Sequence, residues 1–459
     1  MTLFKGFLNY LKDVVKMAIS IILKDLSEQV KREITKELIV NSSGDIFGFS
    51  KSLEIYPFDI VDEKEVYLPF YYGNQKLKKY PNDEKKFTQR NLTFTGILRD
   101  YQKEVVQETI KRFNLVRCYF IAMATGKGKT LTSIFLASRL KVKTCVLLHR
   151  VNLFDQWKIS IEKMIPGVKI QILDSREPIN PDNDFYLINP INVLKRNRKD
   201  FLDIGFLIAD EAHALCSEKM SKSLLWFTPK YCLGLSATPE RSDALDKIID
   251  LHFGNQQIKV PLFVEHTYYR FNTEIIPETK INARGVTDWT SLLAYQANHP
   301  QRNLWIVQLC TYFSKRNILV LCKRKDQTLL LYQALKEEKE SVDYLTGTKK
   351  KFNNEARILI STYSKSGVGF DHPKLDMMIV ASDVDENYEQ YFGRCVRRED
   401  VDPIFVDLVD KLKSLETHFR NRKNYAVSVG GTVKDFRKMH PDFFVPLQTS
   451  KSPEIIFND

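Results

Sequence analysis

Met123-Ala124-Thr125-Gly126-Lys127-Gly128-Lys129-Thr130 follows the apolar run Val116–Ala122 and opens the helical pattern Lys129–Leu140. An apolar strand, a Gly-containing turn and a helix in that order begin a βαβ unit. The turn then offers backbone N–H groups at a helix start, a ready cradle for phosphate. Gly126 and Gly128 leave room for close approach, and Thr125 and Lys127 complete the loop. The Lys-Thr ending is that of a P-loop: Lys129 is suited to neutralise the β and γ phosphates and Thr130 to set its hydroxyl on Mg²⁺. Met123 stands where the general P-loop has its first glycine. A glycine turn without a nucleotide is the bland alternative, and a second element weighs against it.

That element is Asp210-Glu211-Ala212-His213, behind the buried-strand pattern Phe206-Leu207-Ile208-Ala209. Its carboxylates are expected at the carboxyl edge of a sheet, where ligands bind in such folds. Asp210 is suited to hold Mg²⁺, mostly through water, and Glu211 to orient and deprotonate the attacking water. Alone, paired carboxylates are a solvated helix start and a lone His213 is structural. Together with Lys129 they imply hydrolysis of a nucleoside triphosphate.

Strand-like runs continue at Cys145–Leu148, Phe185–Ile188 and Cys232–Leu235, then restart at Asn317–Cys322, Arg357–Thr362, Met377–Ala381 and Ile404–Leu408. Helical stretches are expected at 324–339 and 387–398. The class is therefore α/β, with two tandem parallel sheets. The expected division is an N-terminal accessory module over 1–90, a nucleotide-binding domain over 91–262, a linker over 263–299, a second domain over 300–425 and a tail over 426–459. Within the module, Leu11, Val14, Val15, Ala18, Ile19, Ile22 and Leu26 recur at helical spacing and read as a packing face. The aromatics of Val66–Tyr72 read as core before base-stacking.

The 459 residues carry a net charge of +12, which favours a polyanionic partner. The 7 cysteines form no CxxC pair, which points to a reduced, intracellular compartment and away from disulfides or a zinc module. No apolar run is long enough to cross a bilayer, so no membrane partner is expected.

Further motifs stand in a definite order. Gly96-Ile97-Leu98-Arg99-Asp100-Tyr101-Gln102 precedes the P-loop. Leu233-Gly234-Leu235-Ser236-Ala237-Thr238-Pro239-Glu240-Arg241 follows the acidic element. Ser361-Thr362, Gly367-Val368-Gly369-Phe370-Asp371-His372-Pro373 and Gln390-Tyr391-Phe392-Gly393-Arg394-Cys395-Val396-Arg397 close the series. This ordered set resembles the DEAH/DExH-box helicases of superfamily 2, over about Gly96 to Leu408. The resemblance implies tandem RecA-like domains, ATP and Mg²⁺ as cofactors, and nucleic acid as partner. It also implies nucleotide contacts from Arg99, Gln102, Gly369 and Asp371, and coupling of hydrolysis to movement through His213, Ser236 and Thr238. In the last motif Arg394 and Arg397, three apart on an expected helix, share a face. From a second domain they can serve as arginine fingers, with Gln390 one turn earlier.

Leu153-Phe154-Asp155-Gln156-Trp157, the Thr-Pro-Glu-Arg continuation and Asn298-His299-Pro300-Gln301-Arg302-Asn303 are similar to the XPB/UvsW-like branch. Leu68-Pro69-Phe70-Tyr71-Tyr72 resembles poxvirus-type helicases of large DNA viruses, linked to transcript release. DNA is thus favoured, RNA stays open, and transcription or replication machinery is an implied partner. A recruitment subunit that uses ATP as a conformational switch is a third reading. His149-Arg150 and Ser366 depart from the family pattern and leave translocation polarity unassigned. Arg150, Lys323 and Thr362 are the favoured backbone contacts. Lys195, Arg196, Arg198, Arg324 and Lys349–Lys351 are further candidates, and Arg398 another.

Overall fold

The computed structural model describes residues 20–22, 24, 27–41, 54–61, 65–77, 87–215, 217–237, 245–280, 287–349, 351–366, 372–385, 388–398 and 400–444. These residues divide into two compact units between Val260 and Pro261. The expected site residues Thr238, Gly369 and Asp371 lie outside them, as do Lys350 and most of the expected helical stripe over 11–26. The stripe's described member, Ile22, lies in the strand Ser20–Ile22, paired antiparallel with Glu65–Tyr67.

The first unit is built on a seven-stranded, wholly parallel sheet. Its strands are β1 (Cys118–Met123), β2 (Thr144–Leu147), β3 (Ile170–Leu173), β4 (Phe185–Ile188), β5 (Phe206–Ala209), β6 (Tyr231–Ser236) and β7 (Gln257–Val260). They lie in the order β7-β1-β6-β5-β2-β4-β3. β1, β2, β4 and β5 are buried at every residue. Burial on both faces explains why they read as continuous apolar runs. Each fully buried Leu, Ile or Phe contributes roughly 1.5–3 kcal/mol.

The segment expected to be a separate accessory module shares the core of this sheet. Ile34, Leu38, Val40, Ile55, Val66, Leu68 and Phe70 belong to one cluster with Phe120, Leu207 and Phe253. Arg198 fixes the same junction. Its guanidinium lies 3.9 Å from the ring centres of both Tyr67 and Trp226, and it pairs with Asp59 at 2.7 Å.

The second unit has its own seven-stranded parallel sheet. It comprises β8 (His266–Asn272), β9 (Ile318–Cys322), β10 (Val342–Leu345), β11 (Ile358–Thr362), β12 (Met377–Val380), β13 (Ile404–Val409) and β14 (Gly431–Asp435). The order is β10-β11-β9-β12-β13-β8-β14. Two expectations change here. The span 263–299 is no linker, because β8 lies inside the sheet with Tyr268 and Phe271 fully buried. The tail after 426 supplies β14, paired with β8.

Candidate nucleotide site

β1, β6 and β5 are neighbours, so the P-loop, Ser236 and Asp210–Glu211 leave the sheet side by side at its carboxyl edge. Gly128 has φ +84° and precedes the helix Lys129–Leu140, whose N-terminal N–H groups face the loop. A Cβ at Gly128 would stand 2.3 Å from Gln102 Nε2. Gln102 is 2% exposed; its Nε2 donates to Lys127 O at 3.0 Å and its Oε1 accepts from Arg99 N at 2.9 Å. Tyr101 Oη donates to the same Lys127 carbonyl at 3.0 Å. Gln102 and Tyr101 therefore brace the P-loop backbone, a role the expectation of nucleotide contact did not include.

Lys129 Nζ donates to Met123 O at 3.0 Å and stands 3.9 Å from Glu211 Oε1. Glu211 adopts φ +49°, a left-handed conformation costly for a side-chain residue. Its Oε2 is buried without a hydrogen-bond partner and lies 3.4 Å from His213 Nδ1. His213 Nδ1 bonds Ser236 Oγ at 2.8 Å, so His213 and Ser236 join the acidic turn to β6. Asp210 is buried; its Oδ1 accepts from Glu211 N at 3.0 Å and its Oδ2 from Trp157 Nε1 at 2.8 Å. Burial, and then the Glu211 charge, raise its carboxyl to about 6. Burial, then Arg150, lower His149 to about 4. Thr130, Asp210 and Glu211 supply only oxygen donors, the set that suits Mg²⁺. The acceptor left over on Glu211 and the uncapped helix N-terminus behind Gly128 fit a Mg-nucleotide.

In the second unit the expected helix over 387–398 ends early, at Phe392. Gly393 N still bonds Glu389 O, but Arg394 N and Cys395 N turn to Tyr391 O and Phe392 O, at 3.0 Å each. Arg394 thus lies on the turn after the helix and Arg397 beyond that turn, and they share no helical face. Gln390 and Arg394 are buried, and burial holds the Arg397 guanidinium below its ordinary range. Arg398 pairs with Asp376 and Asp400.

The favoured backbone contacts sit at carboxyl edges. Arg150 is exposed and caps the helix after β2. Lys323 is exposed just beyond β9, where Cys322 pairs with Thr362, itself buried. Arg196 and Arg198 are committed elsewhere: Arg196 to Asp200 and to the Asp174 and Glu177 carbonyls, Arg198 to Asp59. Arg324 pairs with Asp326, and Lys349 with Asp343.

Sequence reading missed a buried network. Arg302, 0% exposed, donates from Nε to Asp410 Oδ1 at 3.0 Å and from Nη2 to Leu408 O at 2.9 Å, and it also bonds Ala381 O. Gln296 and Thr273 donate to the same carboxylate at 2.6 and 2.7 Å. Only the Asn298–Asn303 resemblance hinted at it.

The family model described as "Type III restriction enzyme, res subunit" matches residues 95–241. The helicase candidate 161L of Invertebrate iridescent virus 6 is 36% identical over 379 residues, 77% of this chain and 86% of that protein. The chain belongs to the superfamily 2 helicases of large DNA viruses. This helicase is accordingly an ATP-hydrolysing, nucleic-acid-dependent enzyme. It is also similar to the ATP-dependent RNA helicase candidate L396 of Acanthamoeba polyphaga mimivirus, 27% identical over 398 residues, 81% of this chain and 76% of that one. The transcript termination protein A18 of Yaba-like disease virus is 27% identical over 362 residues, 70% and 74%. S. cerevisiae Dbp5, solved bound to RNA and ADP BeF3, shares the fold with the helicase at a TM-score of 0.53 and 16% identity, covering 74% of this chain and 91% of that one. Among the described residues no helix of the helicase is long and apolar enough to cross a membrane.

Proposed function

We propose that this helicase is an Mg²⁺-dependent translocase on DNA that releases transcripts during viral transcription, inside the infected cell. The convergence of Lys129, Asp210, Glu211 and Ser236 at one sheet edge carries the motor part of this reading. The net charge of +12, the restriction-enzyme family model and the printed name of A18 support the DNA and transcription part.

In this reading Lys129 and the loop from Thr125 to Gly128 bind the β and γ phosphates. Thr130 and Asp210 hold Mg²⁺, which when bound offsets phosphate charge. Glu211 accepts a proton from the attacking water through Oε2, which makes no hydrogen bond within the protein. Gln390, Arg394 and Arg397 stabilise the charge that develops on the γ-phosphate. Arg99 flanks the nucleotide, with Gly369 and Asp371 as further contacts. His213, Ser236 and Thr238 transmit the loss of phosphate. Arg150, Lys323 and Thr362 grip the nucleic-acid backbone, which sets affinity without reading sequence.

An RNA helicase is the second reading, favoured by the printed name of L396. Rates of ATP hydrolysis with single- and double-stranded DNA and RNA separate the two. The proposal expects DNA to stimulate most. Stimulation by RNA alone contradicts it.

A further inference from the structure

We propose that Trp157 is a positioning residue for ATP hydrolysis: its indole N–H fixes the direction in which the Asp210 carboxylate faces a divalent cation. The inference rests on the reading of Asp210 as the cation-holding carboxylate. Trp157 is 1% exposed and lies on the helix Val151–Met164, which starts directly beyond β2. β2 pairs in parallel with β5, Leu147 opposite Ala209, so the crossover helix brings the indole alongside the acidic turn. Nε1 donates to Asp210 Oδ2 at 2.8 Å, while Oδ1 accepts from Glu211 N at 3.0 Å.

An indole nitrogen can only donate. Each carboxylate oxygen therefore has one fixed donor, and the carboxylate plane cannot turn. The lone pairs left over are those that a cation or its bound water can use. A side chain that merely filled the core would need no N–H aimed at the acid. Phenylalanine would fill most of the same space, so packing and hydrogen bonding can be separated. Partners that orient a metal-holding group in this way change metal affinity about 10- to 100-fold when removed.

The helicase contains 4 tryptophans, so ¹⁵N-labelled protein gives four indole N–H signals. The signal lost in Trp157→Phe should exchange slowly with solvent, move upfield in Asp210→Asn, and shift when Mg²⁺ and ADP are added. Binding of Mn²⁺ in the presence of ADP, read by electron paramagnetic resonance, should weaken roughly tenfold in Trp157→Phe. Binding of ADP without metal should stay unchanged. An indole signal indifferent to Asp210→Asn, or unchanged Mn²⁺ affinity in folded Trp157→Phe, overturns the inference. Asp210→Asn with wild-type Mn²⁺–ADP affinity overturns instead the reading of Asp210 on which it rests. If Trp157→Phe does not fold, Trp226→Phe, Trp289→Phe and Trp305→Phe identify the other three indole signals, and the response of the fourth to Asp210→Asn decides.

Discussion

Gly128→Ala tests the P-loop architecture in the most quantitative way. Gly128 sits at φ +84°, where an L-residue costs roughly 1–2 kcal/mol. Its new Cβ would meet Gln102 Nε2 at 2.3 Å, so the Gln102 amide must move. Moving it breaks the bonds to Lys127 O and Arg99 N, about 1 kcal/mol each. The sum is about 3–4 kcal/mol against the nucleotide-ready loop. At about 1.4 kcal/mol per tenfold, binding should weaken on the order of 100- to 1000-fold. Titration with a fluorescent ATP analogue reads this directly. The double variant Gly128→Ala with Gln102→Ala removes the collision, but it loses the same two hydrogen bonds and keeps the backbone term, so its affinity should stay close to that of Gly128→Ala alone. Affinity within about threefold of wild type in Gly128→Ala would refute the reasoning, since it would mean that neither φ nor Gln102 constrains the loop.

Two more predictions concern the second unit. Arg302→Leu leaves Asp410 buried beside only neutral donors, and should cost about 3–5 kcal/mol in denaturant unfolding. Arg302→Met combined with Asp410→Leu should cost less, because no charge is stranded. His418 bonds Asp383 at 2.6 Å, and that bond raises its pKa above the ordinary 6.5. Its stabilising effect is therefore complete below about pH 6.5 and is lost as pH rises through the raised folded value. His418→Gln should remove that loss from the stability profile measured by thermal melts across the neutral range.

The central strands were legible because both faces are buried and the runs are apolar throughout. Edge strands were not. β7 and β3 are largely exposed or half-buried, as are β10 and β14, and carry Gln257, Lys259, Gln171, Asp343 and Lys434 among their residues. β8 lies inside its sheet, yet His266, Arg270 and Asn272 interrupt its apolar pattern, so it read as a linker. The N-terminal segment looked separate because nothing in its local pattern encodes the sheet that its apolar residues meet. At the site, Lys129, Asp210 and Glu211 were legible from spacing. Arg394 and Arg397 were legible as cations but not in their backbone, since a helix reading runs past Gly393 into a turn. The bracing by Gln102 and the Trp157–Asp210 bond depend on side-chain meetings across the fold, which no local pattern encodes.

The central claim is that Glu211 activates water while Arg397 stabilises the phosphate charge. Nucleic-acid-stimulated ATP hydrolysis, measured beside ATP-analogue affinity in Glu211→Gln and Arg397→Ala, tests it most directly. The account predicts affinity close to wild type in both variants and hydrolysis lowered by at least ~100-fold. Wild-type hydrolysis in either variant would contradict it.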